Sequence, residues 1–313
     1  MANFDVVIVN WNAGEQLRRC LDSLAKAGRD GFGLERVVVV DNASADGSAD
    51  GLEYPSLPIV TIRNNCNEGF AAACNKGASA SGADYLLFLN PDTELFEDSI
   101  SVPLAFMARG ENGGIGIAGI ALVDERGRVS RSCARFPSLA RCVSRALGLF
   151  RLSSRIFPAY VMSEWDHGAS RAVDHVSGAF FLVRRAVFEK LAGFDERFFV
   201  YLEDVDFSYR ASLAGWGSYY VAEARAFHKG GGLSEGVKAE RLFLSTSSRI
   251  LYAFKHFNRV ESASLMLVTV AIEPLVRLCS AVVTCSADNV AATVRGYALL
   301  YRALPRLARG MRV

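Results

Sequence analysis

Four short apolar runs, each followed at once by polar side chains, constrain the fold of this chain more than any other feature. They span residues 6–9, 37–40, 59–62 and 85–89 and consist largely of Val, Ile and Leu. Continuous apolar runs of this length are typical of strands that are buried on both faces of a sheet. Segments with helical spacing of apolar residues lie between them, which predicts parallel βαβ units. The sequence therefore predicts an α/β fold on a mostly parallel sheet.

The polar residues that end these runs are predicted to meet in one crevice. Asn10, Asp41 and Arg63 directly follow the first three runs, and Asp92 follows the fourth after a proline that cannot continue a central strand. Ligands bind at this carboxyl edge in open α/β sheets. The sequence has neither a dinucleotide-binding glycine fingerprint after the first run nor a P-loop. Asp41 and Arg63 would therefore contact the base and ribose of a nucleotide, and a cation on Asp92 would contact its diphosphate.

A cluster of carboxylates opens a predicted helix later in the chain. Glu203, Asp204 and Asp206 fall in its first turn, where the helix dipole favours negative charge, and Gly215 ends it. Asp206 and Arg210 are four residues apart, which predicts a structural ion pair. Asp204 points away from that pair. A carboxylate that stays ionised beside aromatic residues can deprotonate an alcohol, so Asp204 is the predicted general base.

One histidine follows the last predicted strand, at residues 219–221. His228 precedes Lys229 and three glycines, a predicted polar loop that could close over phosphates. A lone histidine can be purely structural, but beside a cation on Asp92 it can also act as a metal ligand.

Seven motifs occur in a fixed order between residues 6 and 229. They are Asn10-Trp11-Asn12, Asp41-Asn42-Ala43-Ser44-Ala45-Asp46-Gly47-Ser48, Asn67-Glu68-Gly69-Phe70-Ala71 with Asn75, Asn90-Pro91-Asp92, Ser177-Gly178-Ala179, Gly193-Phe194-Asp195-Glu196 and Glu203-Asp204-Val205-Asp206. In order and spacing they resemble family-2-type nucleotide-sugar glycosyltransferases of the GT-A fold. Among these, the chain is most similar to the bacterial rhamnosyltransferase-like branch.

The resemblance implies a doubly wound sheet of GT-A type flanked by helices, and it assigns roles to particular residues. Asp204 is the implied catalytic base, and Asp92 with His228 the implied ligands of Mg or Mn. The implied donor-binding residues are Asn10, Asn12, Asp41, Arg63, Asn64, Gly69, Phe70, Asn75, Asn90, Asp92, Gly178 and Glu203. The family's metal motif is Asp-x-Asp, and Asn90 replaces its first acid, so one anionic ligand is missing.

The implied activity is inverting transfer of a sugar from a nucleoside diphosphate to a hydroxyl of a glycan or a polyprenyl-diphosphate-linked acceptor, in cell-surface polysaccharide synthesis. The branch-level likeness implies L-rhamnose from dTDP-rhamnose. Two alternatives come from other classes of protein. A nucleotidyltransferase would need a glycine-rich loop near the first strand, which residues 10–14 do not provide. An inactive sugar-nucleotide-binding scaffold at the membrane would not need the carboxylates around Asp204.

The catalytic domain is predicted to span residues 1–245, with a C-terminal helical region at residues 246–313. Within the first, residues 126–163 form a basic insertion that contains eight arginines and no acidic residue. In the second, an apolar stretch at residues 265–283 is interrupted by Glu273, Pro274 and Arg277, and an arginine-rich tail follows it. Charges at a helix centre are costly in a bilayer, so this stretch is predicted to lie on a membrane rather than cross it. A helical cap or a homodimer interface is the alternative.

The partners and the cellular location follow from charge and cysteine usage. The net charge of +2 gives no indication of a nucleic-acid partner. The seven cysteines are scattered without a Cys-x-x-Cys pair, which favours reduced thiols in the cytoplasm. The predicted location is the inner face of the bacterial cell membrane.

Overall fold

The computed structural model describes residues 2–153, 156–157, 159–230, 237–307 and 309. Its strands are β1 Ala2–Asn10, β2 Phe32–Asp41, β3 Ile59–Arg63, β4 Tyr85–Leu89, β5 Thr93–Leu95, β6 Ile115–Val123, β7 Arg171–Val173, β8 Phe180–Arg184 and β9 Gly217–His228. Its α-helices are α1 Glu15–Lys26, α2 Phe70–Ala78, α3 Asp98–Ala108, α4 Leu139–Ala146, α5 Arg185–Lys190, α6 Glu203–Leu213, α7 Lys238–His256, α8 Arg259–Leu267, α9 Glu273–Val283 and α10 Ala287–Leu307. Gly231 and Gly232 of the predicted glycine run, Arg155 of the basic insertion and Arg312 of the tail lie outside the described residues.

All of these strands belong to one sheet. Its order is β3-β2-β1-β4-β8-β6-β9-β5, with β7 pairing to β9. The strands β1 to β4 form a parallel block, and β6 and β9 pair in parallel. The strand β8 joins these two parts by antiparallel pairing with β4 and β6. The α/β fold with a central sheet and flanking helices is confirmed.

The side chains of β1 alternate between two hydrophobic layers, as the pleat of a strand requires. Val6 and Ile8 pack in a cluster that contains Leu17 of α1. Val7 packs in a second cluster that contains Ala73 of α2. The sheet is therefore covered by helices on both faces, which is why its strands read as continuous apolar runs.

Helix α2 lies unusually close to the sheet. Its buried residues are Ala71, Ala72, Ala73, Cys74, Gly77 and Ala78. A Cβ atom at Gly77 would lie 2.5 Å from Cγ1 of Val7 and 3.1 Å from Cγ2 of Val40. Only a face of small side chains permits this approach. The helical spacing of Ala73, Cys74, Gly77 and Ala78 in the sequence predicts such a face.

Two predicted boundaries were wrong at the edge of the sheet. The strand-like stretch at residues 176–183 predicts a strand from Val176, but β8 begins at Phe180, because the backbone N–H of Gly178 donates to the Asp204 carboxylate instead of to a neighbouring strand. His228 was placed in a loop but is the last residue of β9, where it pairs with Thr93 of β5.

The chain packs into two compact units. Unit 1 comprises Met1–Arg135, Val161–Asp195 and Asp204–Leu233, and it holds the whole sheet. Unit 2 comprises Phe136–Tyr160, Glu196–Glu203 and Ser234–Val313, and it holds α4 and α7 to α10. The division into functional domains after residue 245 stays a prediction.

Within unit 2, one continuous helical segment is mostly exposed. Helices α8 and α9 are joined by a π-helical turn, Val268–Ile272. Among the described residues, Arg259–Val283 is the segment with the length and composition of a membrane span, at mean hydropathy 1.9 and 17% burial over its most apolar window. Glu273 in its middle is fully buried and forms ion pairs with Arg249 and Arg277. Its charge is therefore balanced inside the protein.

Candidate active site

Three of the predicted edge residues lie side by side at the carboxyl end of the sheet. Asn10 is in register with Asp41, and Asp41 with Arg63. The Asp41 carboxylate is buried, accepts a hydrogen bond of 2.9 Å from Asn10 Nδ2, and lies 3.9 Å from Arg63 Nη1. Three of the four residues that were predicted to converge, Asn10, Asp41 and Arg63, therefore lie together.

Asn10 and Asn12 connect the loop after β1 to the loop after β2. Asn10 has no exposed surface, and its Nδ2 also contacts the hydroxyls of Ser44 and Ser48 at 3.0 and 2.8 Å. Asn12 adopts φ +52° and accepts a hydrogen bond from the Ala45 backbone N–H. The buried Asn10 therefore orients Asp41 from the protein interior, while Asn12 is exposed at the rim of the site.

A network of amides supports the next strand end. Asn64 Nδ2 donates to Oδ1 of Asn42, whose own Nδ2 donates to Asn67 and to the Gly69 carbonyl. Lys76 Nζ donates to Asn64 Oδ1 at 2.6 Å. Asn42 and Lys76 were not among the predicted site residues. The signals for Asn42 were its position directly after Asp41 and its place in the motif of residues 41–48.

Two predicted donor-binding residues lie at the start of α2, and a third residue of this helix bonds a different segment of the chain. Gly69 is the N-cap of α2 with φ +87°, a conformation that favours glycine, and Phe70 is its first residue. Both ends of the Asn75 amide bond the backbone of Phe194, at 2.8 and 2.9 Å. The Asn75 amide therefore holds the Gly193-Phe194 segment.

Asp92 and His228 face each other across the end of the sheet. His228 Nε2 lies 3.3 Å from Asp92 Oδ1, because the pairing of β5 with β9 places His228 opposite Thr93, the residue next to Asp92. Asp92 Oδ1 is shielded from solvent and accepts no well-aligned hydrogen bond from the described chain. The Asn90 backbone N–H donates to the Ala179 carbonyl, which fixes the turn that carries Asp92.

These two side chains fit a divalent cation that is completed by a substrate. A buried carboxylate oxygen without a hydrogen bond, next to an imidazole nitrogen, is a pair of ligands suited to Mn²⁺ or Mg²⁺. Among the described residues no group of three His, Cys, Asp or Glu side chains converges on one position. Phosphate oxygens and water would supply the remaining ligands, as is usual for Mg²⁺.

The predicted base is held at the same edge of the sheet. Asp204 Oδ2 accepts a hydrogen bond of 3.1 Å from Gly178 N–H, and Gly178 precedes the Ala179 that bonds Asn90. A Cβ atom at position 178 would lie 2.7 Å from the same oxygen, so only glycine permits this contact. The predicted Asp206–Arg210 ion pair is confirmed at 2.8 Å.

A histidine that the sequence did not single out lies behind Asp204. His175 is buried, its Nε2 lies 3.4 Å from Asp204 Oδ2, and its Nδ1 lies 3.1 Å from the Ser208 hydroxyl. Both ring nitrogens are satisfied if Nε2–H donates to the carboxylate and the serine donates to Nδ1. His175 lies two residues before a recognised motif, and nothing in its local pattern indicated this contact.

The protein environment keeps Asp204 ionised. Burial opposes the charged form, but His175 and the backbone N–H groups of Val205 and Gly178 outweigh it and lower the pKa of Asp204. The side chain keeps 18% of its surface exposed, so the carboxylate remains reachable.

The backbone that leads into α6 is strained. Tyr201 and Leu202 have φ of +69° and +66°, in the left-handed region that non-glycine residues seldom adopt. Glu203, the first residue of α6, is buried. Such strain persists where the surroundings enforce it, commonly at functional sites.

Known proteins resemble this chain in sequence and in fold. The model of the family Glycosyl transferase family 2 matches residues 5–192. The chain is 33% identical over 240 residues to the N-acetylglucosaminyl-diphospho-decaprenol L-rhamnosyltransferase of Mycobacterium tuberculosis, covering 71% of this chain and 75% of that protein. It is 31% identical over 181 residues to rhamnosyltransferase WbbL of Escherichia coli, covering 57% and 64%. The mannosyltransferase PcManGT of Pyrobaculum calidifontis, solved with GDP-Man and Mn²⁺, matches at TM-score 0.56 and 15% identity, covering 98% and 84%.

Proposed function

The chain belongs to glycosyl transferase family 2, in its rhamnosyltransferase-like branch, and from this membership we propose that it transfers L-rhamnose from dTDP-rhamnose with inversion. The observation that carries the proposal is the placement of an ionised carboxylate, Asp204, at the same sheet edge as Asp41 and Asp92. The identity of the sugar is supported by the two rhamnosyltransferase relatives.

The nucleotide half of the donor is assigned to the ends of β2 and β3. Asp41 and Arg63 present a carboxylate and a guanidinium to the base and ribose, while Asn10 holds Asp41 in place. The Arg63 side chain is 55% exposed and is anchored by Asp50 at 2.8 Å, so it can stack or donate without leaving its position. Asn12 and Asn64 complete the rim.

The diphosphate half is assigned to Asp92 and His228, the pair that fits a divalent cation. A bound Mg²⁺ or Mn²⁺ would neutralise the charge that develops on the departing nucleoside diphosphate. The residues of the chain hold that position: Asp92 through a turn fixed by the Asn90–Ala179 hydrogen bond, and His228 through strand β9.

Asp204 is assigned the proton transfer. An acceptor hydroxyl within hydrogen-bond reach of its carboxylate would lose its proton as the oxygen attacks the anomeric carbon on the face opposite the diphosphate. A single displacement of this kind inverts the anomeric centre. The hydrogen bond from Gly178 and the contact with His175 fix the carboxylate, which reduces the reorganisation needed at the moment of reaction.

The acceptor is proposed to be a lipid-linked diphosphate glycan at the inner face of the bacterial membrane. The name of the Mycobacterium relative identifies such a substrate for that protein. The exposed, apolar Arg259–Val283 segment supports a location at a membrane surface.

The first test is replacement of the proposed base. We predict that Asp204→Asn lowers the rate of sugar transfer by about 10²–10⁴-fold, because a positioned general base contributes that much. Donor affinity should remain within a few-fold, since Asp204 is assigned to the acceptor side. Transfer is measured with dTDP-rhamnose and a short-chain prenyl-diphospho-N-acetylglucosamine, and donor affinity by calorimetry.

The control is Glu189→Gln, which also exchanges an acid for its amide but breaks only a surface pair with Arg185. Near wild-type transfer by Asp204→Asn would refute the assignment of the base. A thermal-shift screen of nucleotide sugars tests the donor. If another sugar nucleotide stabilises the protein and dTDP-rhamnose does not, that sugar replaces rhamnose in the proposal.

A further inference from the structure

Unit 2 contains a cavity that the proposed chemistry does not use. Its volume is about 470 Å³, and four segments line it: the end of α4 with the turn after it, the first turns of α7, one face of α9 and the start of α10. Ligand sites in proteins commonly have volumes of about 300–1,000 Å³. The cavity is therefore large enough for a diphosphate with part of an attached group.

The lining of this cavity is strongly basic. Arg145, Lys238, Arg241 and Arg277 contribute to it, and no acidic residue of the described chain does. Arg277 is paired with the buried Glu273, at 2.8 Å. The other three form no ion pair with any described residue. Cations that converge in a concave site without counter-charges create a positive potential that favours an anion.

The position of two of these cations is not explained by helix stability. Lys238 and Arg241 flank Glu240 in the first turn of α7, where the helix dipole favours the glutamate but disfavours the two positive charges. The N-cap residue, Val237, provides no side-chain hydrogen bond to that turn. An anion in the cavity would meet both the cations and the positive end of the helix, and this would offset the unfavourable placement.

Helix α9 connects the cavity to an apolar surface. One of its faces lines the cavity through residues such as Val276, Ser280 and Thr284. Leu275, Val282 and Val283 lie on the other face and are 62%, 67% and 82% exposed. A helix of this kind lies in a membrane interface with its apolar side among the acyl chains. The cavity on the opposite side is then at the level where lipid phosphate groups project.

We propose that this cavity binds the terminal phosphate or diphosphate group of a membrane lipid, the class to which a polyprenyl-diphosphate acceptor belongs. Basic pockets between helices at a membrane surface recognise lipid head groups in the same way. Arg145, Lys238 and Arg241 supply charge-assisted hydrogen bonds to the phosphate oxygens, and the lipid chain follows the apolar face of α9 into the bilayer. The inference rests on the proposed membrane location and deepens the assignment of the acceptor.

The test compares vesicles of equal surface charge. One set is phosphatidylcholine with a small fraction of polyprenyl diphosphate, and the other is phosphatidylcholine with phosphatidylglycerol. Wild-type protein should bind the first set about tenfold more tightly or better, because a cavity recognises the terminal phosphates and not only the surface potential. The triple variant Arg145→Gln/Lys238→Gln/Arg241→Gln should lose this preference.

A matched variant, Arg295→Gln/Arg302→Gln/Arg306→Gln, removes the same number of charges from residues that do not line the cavity. It should bind both sets more weakly and keep the preference. Equal loss of preference in both variants, or no preference in the wild type, would overturn the proposal. If free pyrophosphate binds the protein as tightly as the lipid does, the proposal that the ligand is a lipid would be overturned.

The rate of slow donor hydrolysis without acceptor separates this inference from the proposed function. In the triple variant of Arg145, Lys238 and Arg241 this rate should equal that of the wild type, since the cavity residues hold no donor group. Wild-type protein that prefers the diphosphate lipid but hydrolyses no nucleotide sugar would refute the glycosyl-transfer proposal and leave the lipid site standing.

Discussion

At the scale of residues, the acid–base properties of the site depend on one buried contact. The Asp204 carboxylate is surrounded by groups that stabilise its charge, with His175 at 3.4 Å and the Gly178 N–H at 3.1 Å. Its lowered pKa means that it is ionised across the neutral range. This contact contributes stability above the ordinary aspartate pKa, and the contribution is lost as the pH falls through the lower, folded value.

We predict that His175→Phe moves the acid limb of the pH profile of kcat/KM to higher pH. Without the imidazole, the burial that opposes ionisation is less well balanced, so the pKa of Asp204 rises. Measuring kcat/KM between acid and neutral pH shows the shift directly. Ser208→Ala, which removes only the partner of His175 Nδ1, should produce a smaller shift in the same direction. An unchanged limb in His175→Phe would mean that the histidine is only a packing residue.

A second prediction at this scale concerns Asp92. Asp92→Ala should weaken donor binding and remove most of its dependence on Mg²⁺ or Mn²⁺, because the diphosphate loses its cation bridge. Donor affinity is titrated at several metal concentrations. Asp84→Asn at the opposite end of β4 is the control, since that carboxylate accepts a hydrogen bond from the Asn3 backbone N–H and from no other group among the described residues. If mutant and wild type depend on metal alike, Asp92 is a turn residue without a role in metal binding.

At the scale of elements, the approach of α2 to the sheet positions the amides around Asn64. The helix starts at the Gly69 cap. Near its other end, only small side chains separate it from β1 and β2. Lys76, one residue before the closest point, reaches Asn64 at 2.6 Å. A helix displaced outward by larger residues would move this lysine from the site, so packing and site geometry are linked.

Gly77→Val is therefore expected to be destabilising and to weaken donor binding together. Its side chain would overlap Val7 and Val40, and overpacking typically costs about 1–3 kcal/mol of unfolding free energy. Urea unfolding and donor titration measure the two effects. Gly82→Ala is the matched control, because a Cβ atom there meets nothing within 4 Å. Full stability in Gly77→Val would show that α2 can move away from the sheet freely.

At the scale of the whole molecule, two kinds of surface coexist in one chain. Unit 1 is built around a covered sheet whose polar edge holds the proposed chemistry. Unit 2 exposes large apolar side chains, among them Leu267 at 61% and Val283 at 82%. An exposed apolar surface of this kind marks a membrane or protein contact. The proposed function needs both surfaces, one for a soluble donor and one for an acceptor in a lipid bilayer.

We predict that the protein floats with anionic vesicles at low salt and much less with neutral ones. The arginines of the C-terminal tail add electrostatic attraction of about 1 kcal/mol each near an anionic surface, and salt screens it. Flotation is measured with both lipids at low and high salt. Equal binding to anionic and neutral vesicles would contradict the electrostatic contribution of the arginines. Absence of flotation in every condition would favour a protein partner on the apolar face.

The sequence by itself determined the alternation of strands and helices and the edge of the sheet at which the proposed site lies. It could do so because burial on both faces produces continuous apolar runs, and because parallel strands bring their carboxyl ends together. Asp41 and Asp92 were identifiable for this reason, and Asp204 from its position in the first turn of a predicted helix. So was the small-residue face of α2, since close packing leaves a composition that can be read locally.

Only the tertiary structure decided which side chains act on one another across the chain. The contact of His175 with Asp204 joins residues far apart in the sequence and depends on the antiparallel pairing of β8 with β4, a pairing that no local pattern indicates. The ion pair of Glu273 on α9 with Arg249 on α7 likewise arises only when the helices pack. The basic cavity of unit 2 is formed by four separate segments. Such features depend on distances between elements, and a sequence records the elements far better than the distances.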